Sequence, residues 1–276
     1  MRKFAVLGPT GSFSDMAAKK FMIATNQKLN VEYFSNISRV FNAIGRECEL
    51  GIIPIENTLD GYVQLSLDLL LNSDLKIIKE VTIPIQFSFI SNTPDIKKLS
   101  KVYAQFKTQG QCINFLNQFK DSQIVTTESN STSFNLINNQ KTHDEGAIIP
   151  QHLLNVYDFP FVIENVTDSC ENETRFIIIS KNPTDYNSNK KYKTSLAIIT
   201  RDGDEPGLLA KILNQFSENG INLTSIMSRP TKKLMGKYHF FIDIEGHYIY
   251  NSLINKTVNK IEKEFMVKIL GAYTSI

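Results

Sequence analysis

Gly51-Ile52-Ile53-Pro54-Ile55-Glu56-Asn57-Thr58-Leu59-Asp60-Gly61 opens apolar on both faces and closes polar. A short run without alternation fits a strand covered on both sides, as in the parallel part of an α/β sheet. Its polar end brings Glu56, Asn57, Thr58 and Asp60 out at the strand's carboxyl edge, where ligands sit in open α/β sheets. An Asx-type turn followed by a helix cap is the other reading of those four residues. On either side, strands at 2–7, 31–34 and 50–55 alternate with helical patterns at 13–24, 37–47 and 65–72. The alternation resumes with a strand from Lys101 to Gln105, a helix on Ile113, Leu116 and Phe119, a strand at 123–127, a helix from Ser129, and a strand from Gly146 to Ile149. This is α/β patterning in two successive stretches, and it predicts a cleft between two lobes.

The segment from Lys181 to Lys191 is polar and contains Pro183, the composition of a linker. Beyond it the order is βαββαβ: a strand at 194–200, a helix opening at Pro206, strands at 221–228 and 237–245, a second helix, and a last strand near 267–273. That order is ferredoxin-like. Pro206 suits a first helical turn and Gly220 a helix stop. The predicted organisation is a two-lobed region at 1–180, a linker at 181–193 and a βαββαβ module at 194–276.

A chain of 276 residues has room for about two domains. With 42% hydrophobic and 21% charged residues it is an ordinary folded protein rather than a coiled coil or a disordered chain. Thirty basic residues against twenty-eight acidic leave +2, too little for a field that gathers nucleic-acid phosphates or a membrane surface. A small-molecule ligand is the expectation. The opening apolar run is too short for a signal-peptide core, and no 18-residue apolar stretch occurs, so a cytoplasmic location is expected. Cys48, Cys112 and Cys170 are widely separated and read as buried, inert thiols, with neither disulfide nor zinc site.

Two further segments carry chemistry. Gly8-Pro9-Thr10-Gly11-Ser12-Phe13-Ser14 runs from a strand into a helix, where amides and hydroxyls can bind an anion. Turn formation by Gly8 and Gly11, with Ser12 or Ser14 as cap, is the other reading. No lysine follows the second glycine, so this is not a Walker loop. Asn172-Glu173-Thr174-Arg175-Phe176 enters a strand just before the linker and offers a hydroxyl and a guanidinium. An arginine fork suits a carboxylate, and it equally suits an ion pair between lobes.

Together, in this order, the segments Gly8 to Ser14, Pro54-Ile55-Glu56-Asn57, Asp168 with Asn172 to Phe176, and more weakly Glu128-Ser129 resemble the prephenate dehydratase family. The C-terminal part resembles the ACT domain of such enzymes in Thr194-Ser195-Leu196, Glu205-Pro206-Gly207-Leu208-Leu209, Gly220-Ile221-Asn222-Leu223-Thr224 and Ser228-Arg229-Pro230. Where many members carry Ser-His-Pro-Gln this chain has Ala104-Gln105-Phe106-Lys107; Asn130 stands for a Thr, Phe87 lies near the usual place of a His, and Met227 stands for a Glu.

The resemblance implies a bilobal catalytic region like a type II periplasmic binding protein. It also implies conversion of prephenate to phenylpyruvate with loss of water and carbon dioxide, without cofactor or metal. It puts the family's essential Thr on Thr174, its active-site Asn on Asn57 and a cleft Gln on Gln111. Gly11, Ser12, Phe13, Ser129, Arg175 and Phe176 are the expected substrate contacts, the two phenylalanines as apolar walls unless they are only core. Glu56 and Glu128 are expected to orient neighbours, and His143, His152, His239 and His247 to play no catalytic part. Phenylalanine is the implied effector, at Gly207, Leu208, Leu209, Asn222 and Ser228, in a homodimer or homotetramer. Ala104, Gln105 and Asn130 leave open a catalytically weak amino-acid sensor, and arogenate remains a possible substrate.

Overall fold

The computed structural model describes residues 1–139, 143–183, 185–199, 206–231 and 238–276. Thr184, Thr200, Glu205 and Lys237, which enter the readings above, lie outside them. Strand β1 (Lys3–Leu7) turns into α1 (Phe13–Ala24), which buries Ala17, Ala18 and Phe21 on the face that repeats every three to four residues. β2 (Asn30–Phe34), α2 (Ile37–Ala43), β3 (Leu50–Asn57), β4 (Gly61–Tyr62), α3 (Gln64–Leu71) and β5 (Lys76–Pro84) follow. The helix predicted to 47 ends at Ala43, because Gly45 takes a left-handed φ of 76°.

The chain then crosses into a second lobe: β6 (Phe87–Ser91), β7 (Lys101–Gln105), α4 (Phe106–Gln111), α5 (Ile113–Leu116), β8 (Gln123–Thr127), α6 (Asn130–Asn139), β9 (Glu145–Pro150) and β10 (Phe161–Ile163). It returns as β11 (Glu173–Ser180), which slots antiparallel between β3 and β5. One lobe therefore has the sheet order β5-β11-β3-β1-β2 and the other β10-β6-β9-β7-β8. Two crossings join them, at 85–86 and at 164–172. This is the bilobal α/β architecture expected, with the β3–β11 pair beside the second crossing.

The C-terminal part is β12 (Lys193–Ile199), α7 (Leu208–Glu218), β13 (Leu223–Pro230), β14 (Tyr238–Glu245), α8 (Ser252–Glu262) and β15 (Met266–Ser275), in the expected βαββαβ order. Pro206 falls just outside α7, since Gly207 at the N-cap has φ 89° and the helix starts at Leu208. Ile212, Phe216, Ile254, Val258 and Ile261 of the helices bury against Leu196, Ile198, Phe240, Ile242 and Ile244 of the sheet. Each such side chain contributes about 1.5–3 kcal/mol of burial.

The sheet's other face is covered as well. Ala197, Phe241, Leu270 and Tyr273 share a core with Ile55, Leu67, Leu70 and Ile177 of the first lobe. Arg229 forks onto Asp68 of α3 at 2.8 and 2.6 Å and reaches Gln64 at 2.6 Å. The end of β15 runs parallel to β5, pairing Thr274 with Lys79 and Ser275 with Glu80, so the module's sheet and the lobe's sheet become one of ten strands. Gly271 permits the approach: a Cβ there would stand 2.2 Å from the Ile77 carbonyl oxygen. This continuity is not among the features that the sequence pattern predicts.

Candidate active site

Asn57 ends β3 and sits opposite Thr174 on β11 in sheet register. Its side-chain oxygen accepts from the amides of Leu59 (3.0 Å) and Asp60 (2.9 Å), an Asx turn that fixes which way the amide faces. The Nδ2 group must then point the other way. It donates to Asn172 Oδ1 (2.8 Å), to the Glu173 carbonyl (3.0 Å) and to Thr174 Oγ1 (2.9 Å). Asn172 in turn donates to Gln111 Oε1 at 3.0 Å, carrying the network across to α4 of the second lobe.

Thr174, Asn57 and Gln111, three predicted catalytic residues, are thus gathered in one uncharged cluster where the lobes meet. Asn172, wholly buried at its centre, was quoted in the motif but given no role of its own. Asp168 supports it from below: its carboxylate accepts from the amides of Ile113 (2.8 Å) and Asn114 (3.0 Å), and its own amide donates to the Gln111 carbonyl (2.8 Å). Because Thr174 Oγ1 accepts from Asn57, its own proton is free to be donated elsewhere.

The expected anion contacts fare differently. The Gly11 amide donates to Asp15 Oδ2 (2.9 Å), while Ser12 Oγ caps α1 by accepting from the Asp15 amide (3.2 Å) and donates to the Leu7 carbonyl (3.2 Å). Burial works against the Asp15 charge, yet Lys19, the Gly11 amide and the Tyr33 hydroxyl hold its pKa below the ordinary value. The loop's donors serve a built-in carboxylate, and Ser12 caps the helix. Ser129 likewise caps α6, accepting from the Thr132 amide at 3.0 Å.

Arg175 points away from the cluster. Neighbours on a strand face opposite sides, so with Thr174 at the lobe junction Arg175 faces the C-terminal module. There it meets Asp243 (2.7 Å), Glu56 (3.1 Å) and Glu80 (3.3 Å). Burial opposes its charge, but Asp243 foremost raises its pKa. Phe176 is 2% exposed in the core among Phe4, Val81 and Ile178, which replaces the expected wall with ordinary packing.

Phe13 packs edge-on against Phe87 (5.6 Å) and His152 (5.4 Å). It lines a cavity of about 450 Å³ with Met16, Pro84, Gln86, His152 and Glu164, a lining without Thr174, Asn57 or Gln111. His152 bridges the lobes, its Nε2 2.9 Å from the Gly11 carbonyl. Burial pushes its pKa down. Cys48 and Cys112 are buried as expected, whereas Cys170 is exposed in the turn before Asn172.

In the C-terminal module Gly207 and Ser228 lie toward one edge of the sheet, where β12 and β13 end. Leu208 packs on the core, and Leu209 is 36% exposed. Asn222 precedes β13 at the opposite edge, beside Glu245, roughly 20 Å of extended chain from Ser228. Within one chain the five expected effector residues are therefore not brought together. Among the described residues no group of three or more His, Cys, Asp or Glu is placed to hold a metal ion, and no helix is long and apolar enough to cross a membrane.

A bilobal α/β region with a hydroxyl–amide cluster where its lobes meet, carrying a docked βαββαβ module, has the layout of a small-molecule-binding protein with an appended ferredoxin-like domain. Residues 4–184 match the prephenate dehydratase family and residues 198–255 the ACT domain. The chain is 34% identical over 276 residues to the bifunctional chorismate mutase/prephenate dehydratase of Aquifex aeolicus, covering 98% of this chain and 73% of that protein. It is 32% identical over 267 residues to the prephenate dehydratase of Methanocaldococcus jannaschii, covering 96% and 95%. The prephenate dehydratase of Arthrobacter aurescens, solved in complex with L-Phe, superposes with a TM-score of 0.83 at 25% identity, over 99% of this chain and 90% of that one. The chain belongs to the prephenate dehydratase family, and it is an enzyme of that family with a C-terminal ACT domain.

Proposed function

We propose that the Thr174–Asn57–Asn172–Gln111 cluster is the catalytic centre and that Thr174 escorts the departing oxygen of prephenate. The observation that supports this is the 2.9 Å hydrogen bond in which Asn57 donates to Thr174 Oγ1, leaving the threonine proton for the substrate. The ring carboxylate leaves as carbon dioxide, its bonding pair moves into the ring, and the ring hydroxyl departs at the far end as the ring becomes aromatic. A threonine hydroxyl has too high a pKa to surrender its proton fully, so it stabilises the leaving oxygen by hydrogen bonding, and water completes the proton transfer. The neutral Gln111 amide can meet a dianion without adding negative charge, while Asn57, its own amide spent on protein partners, orients Thr174.

In this reading residues 1–180 are the catalytic region and 194–276 the regulatory module, joined by 181–193, in a cytoplasmic enzyme. The relative solved with L-Phe and the shared ACT domain support phenylalanine as the effector. A binding site built from Gly207 and Ser228 of one chain with Asn222 of another would account for their separation within a chain, and for a dimer or tetramer. The test is turnover of prephenate followed by the ultraviolet absorbance of phenylpyruvate, with and without phenylalanine. Thr174→Ala should keep its fold and lose about 100- to 1000-fold in rate. Equal turnover by that variant ends the role given to Thr174, and a rate unmoved by phenylalanine ends the proposed control.

A further inference from the structure

A doubly anionic substrate needs a cation, and the groups first expected to meet its charge are engaged elsewhere: the Gly11 amide with Asp15, Ser12 and Ser129 as helix caps, Arg175 with three carboxylates. Lys107 is differently placed. From the first turn of α4 it reaches across to the opposite lobe, its Nζ 3.0 Å from Asp60 Oδ2. The Asp60 amide donates to Asn57 Oδ1 at 2.9 Å, so the ammonium lies two hydrogen bonds from the amide that addresses Thr174. Gln111 follows Lys107 by four residues, hence on the same helix face, and reaches Asn172. One short helix thus aims a cation and a neutral amide at the same edge of the first lobe.

The Lys107 and Asp60 side chains are 62% and 35% exposed, so solvent screens the pair and its equilibrium advantage is at most about fivefold. Such a partner is readily exchanged. We propose that Lys107 is the substrate-carboxylate anchor: it pairs with Asp60 in this structure and swaps that carboxylate for one of the substrate's on binding. The inference rests on the dehydratase reading of the lobe junction and adds its charged contact. It also gives Asp60 a role, as a competitor that keeps the lysine positioned.

The discriminating experiment is calorimetric binding of prephenate to the full chain carrying Thr174→Ala, so that no turnover intervenes, at low ionic strength. In that background Lys107→Gln should weaken binding about tenfold. Lys107→Arg should recover most of the loss. Asp60→Asn, which frees the lysine, should tighten binding two- to fivefold, and in the otherwise native enzyme KM should move in the same directions. If the pair were only a latch between lobes, Lys107→Gln and Asp60→Asn would weaken binding alike, which overturns the proposal. A Lys107→Gln affinity within twofold of its parent overturns it too. Failure of the native enzyme to turn over prephenate would instead defeat the dehydratase reading, while the affinities still judge Lys107.

Discussion

Replacing Arg175 by methionine removes a charge and keeps much of the side chain's length. The guanidinium stands among Asp243, Glu56 and Glu80, and Lys193 shares Glu80 at 2.8 Å. Three acids would remain around one lysine. The Glu56 side chain is 35% exposed and can turn to water, but Glu80 and Asp243, at 6% and 10%, cannot. Stripping a partner from buried charges costs about 3–5 kcal/mol, and with Glu56 relieved the lower end, about 3 kcal/mol, is expected. The loss should depend on pH. Burial raises the Glu80 pKa, yet Lys193, Ser275 and Arg175 together hold it below its ordinary 4.5. In the native protein this group therefore contributes stability above pH 4.5 that is lost as pH falls through the depressed folded value. Without Arg175 the folded value climbs, so the variant's deficit should be largest near pH 8 and shrink toward pH 4.5. Urea unfolding followed by circular dichroism at both pH values measures it, and Asp243→Asn added to the variant should restore part of the loss. A deficit below about 1 kcal/mol at pH 8, or one that does not change with pH, would refute the reasoning.

Asn57→Asp keeps an acceptor for the Leu59 and Asp60 amides but cannot donate to Thr174. The threonine proton would turn to the new carboxylate, and kcat should fall about 100-fold or more in a folded protein; a loss under tenfold in steady-state assays would contradict the donor logic. His152 has a depressed pKa from burial, and its Nδ1 is buried without a hydrogen-bond partner among the described residues. Its neutral form therefore stabilises the fold above its ordinary 6.5, and that contribution fades as pH falls through the lowered folded value. His152→Gln should flatten the change in thermal stability between about pH 7.5 and pH 5.5, and parallel native and variant curves would count against it.

The sequence carried more of the architecture than of the site. Apolar runs and helical periodicity located β3, α1, α6 and the βαββαβ order within a few residues, since burial on a face dictates those patterns locally. Contacts such as Asn57 with Thr174, 117 residues apart, come from sheet register and were reachable only through family resemblance. One error was avoidable: Thr174 and Arg175 are consecutive on a strand, so placing both in one cleft contradicts the alternation of side chains. Ser12 was legible as a cap or as an anion ligand, and Ser129 only as a ligand at a helix start. What decided the first was Asp15, three residues on, whose carboxylate occupies the donors. Nothing in the local pattern announced that β15 would lie beside β5, because edge pairing depends on what the rest of the fold leaves uncovered.

That pairing changes what the segment between 181 and 193 is for. With Arg229 clamped on Asp68 and the last strand woven beside β5, the two halves are fastened by their own surfaces. The intervening stretch need not hold them, and it lies against the module, Tyr186 stacking on Tyr250 at 3.8 Å. A protease nick within it should yield two fragments that travel as one particle through a sizing column, and a bulkier residue at Gly271, forced against the Ile77 backbone, should be the change that lets them drift apart.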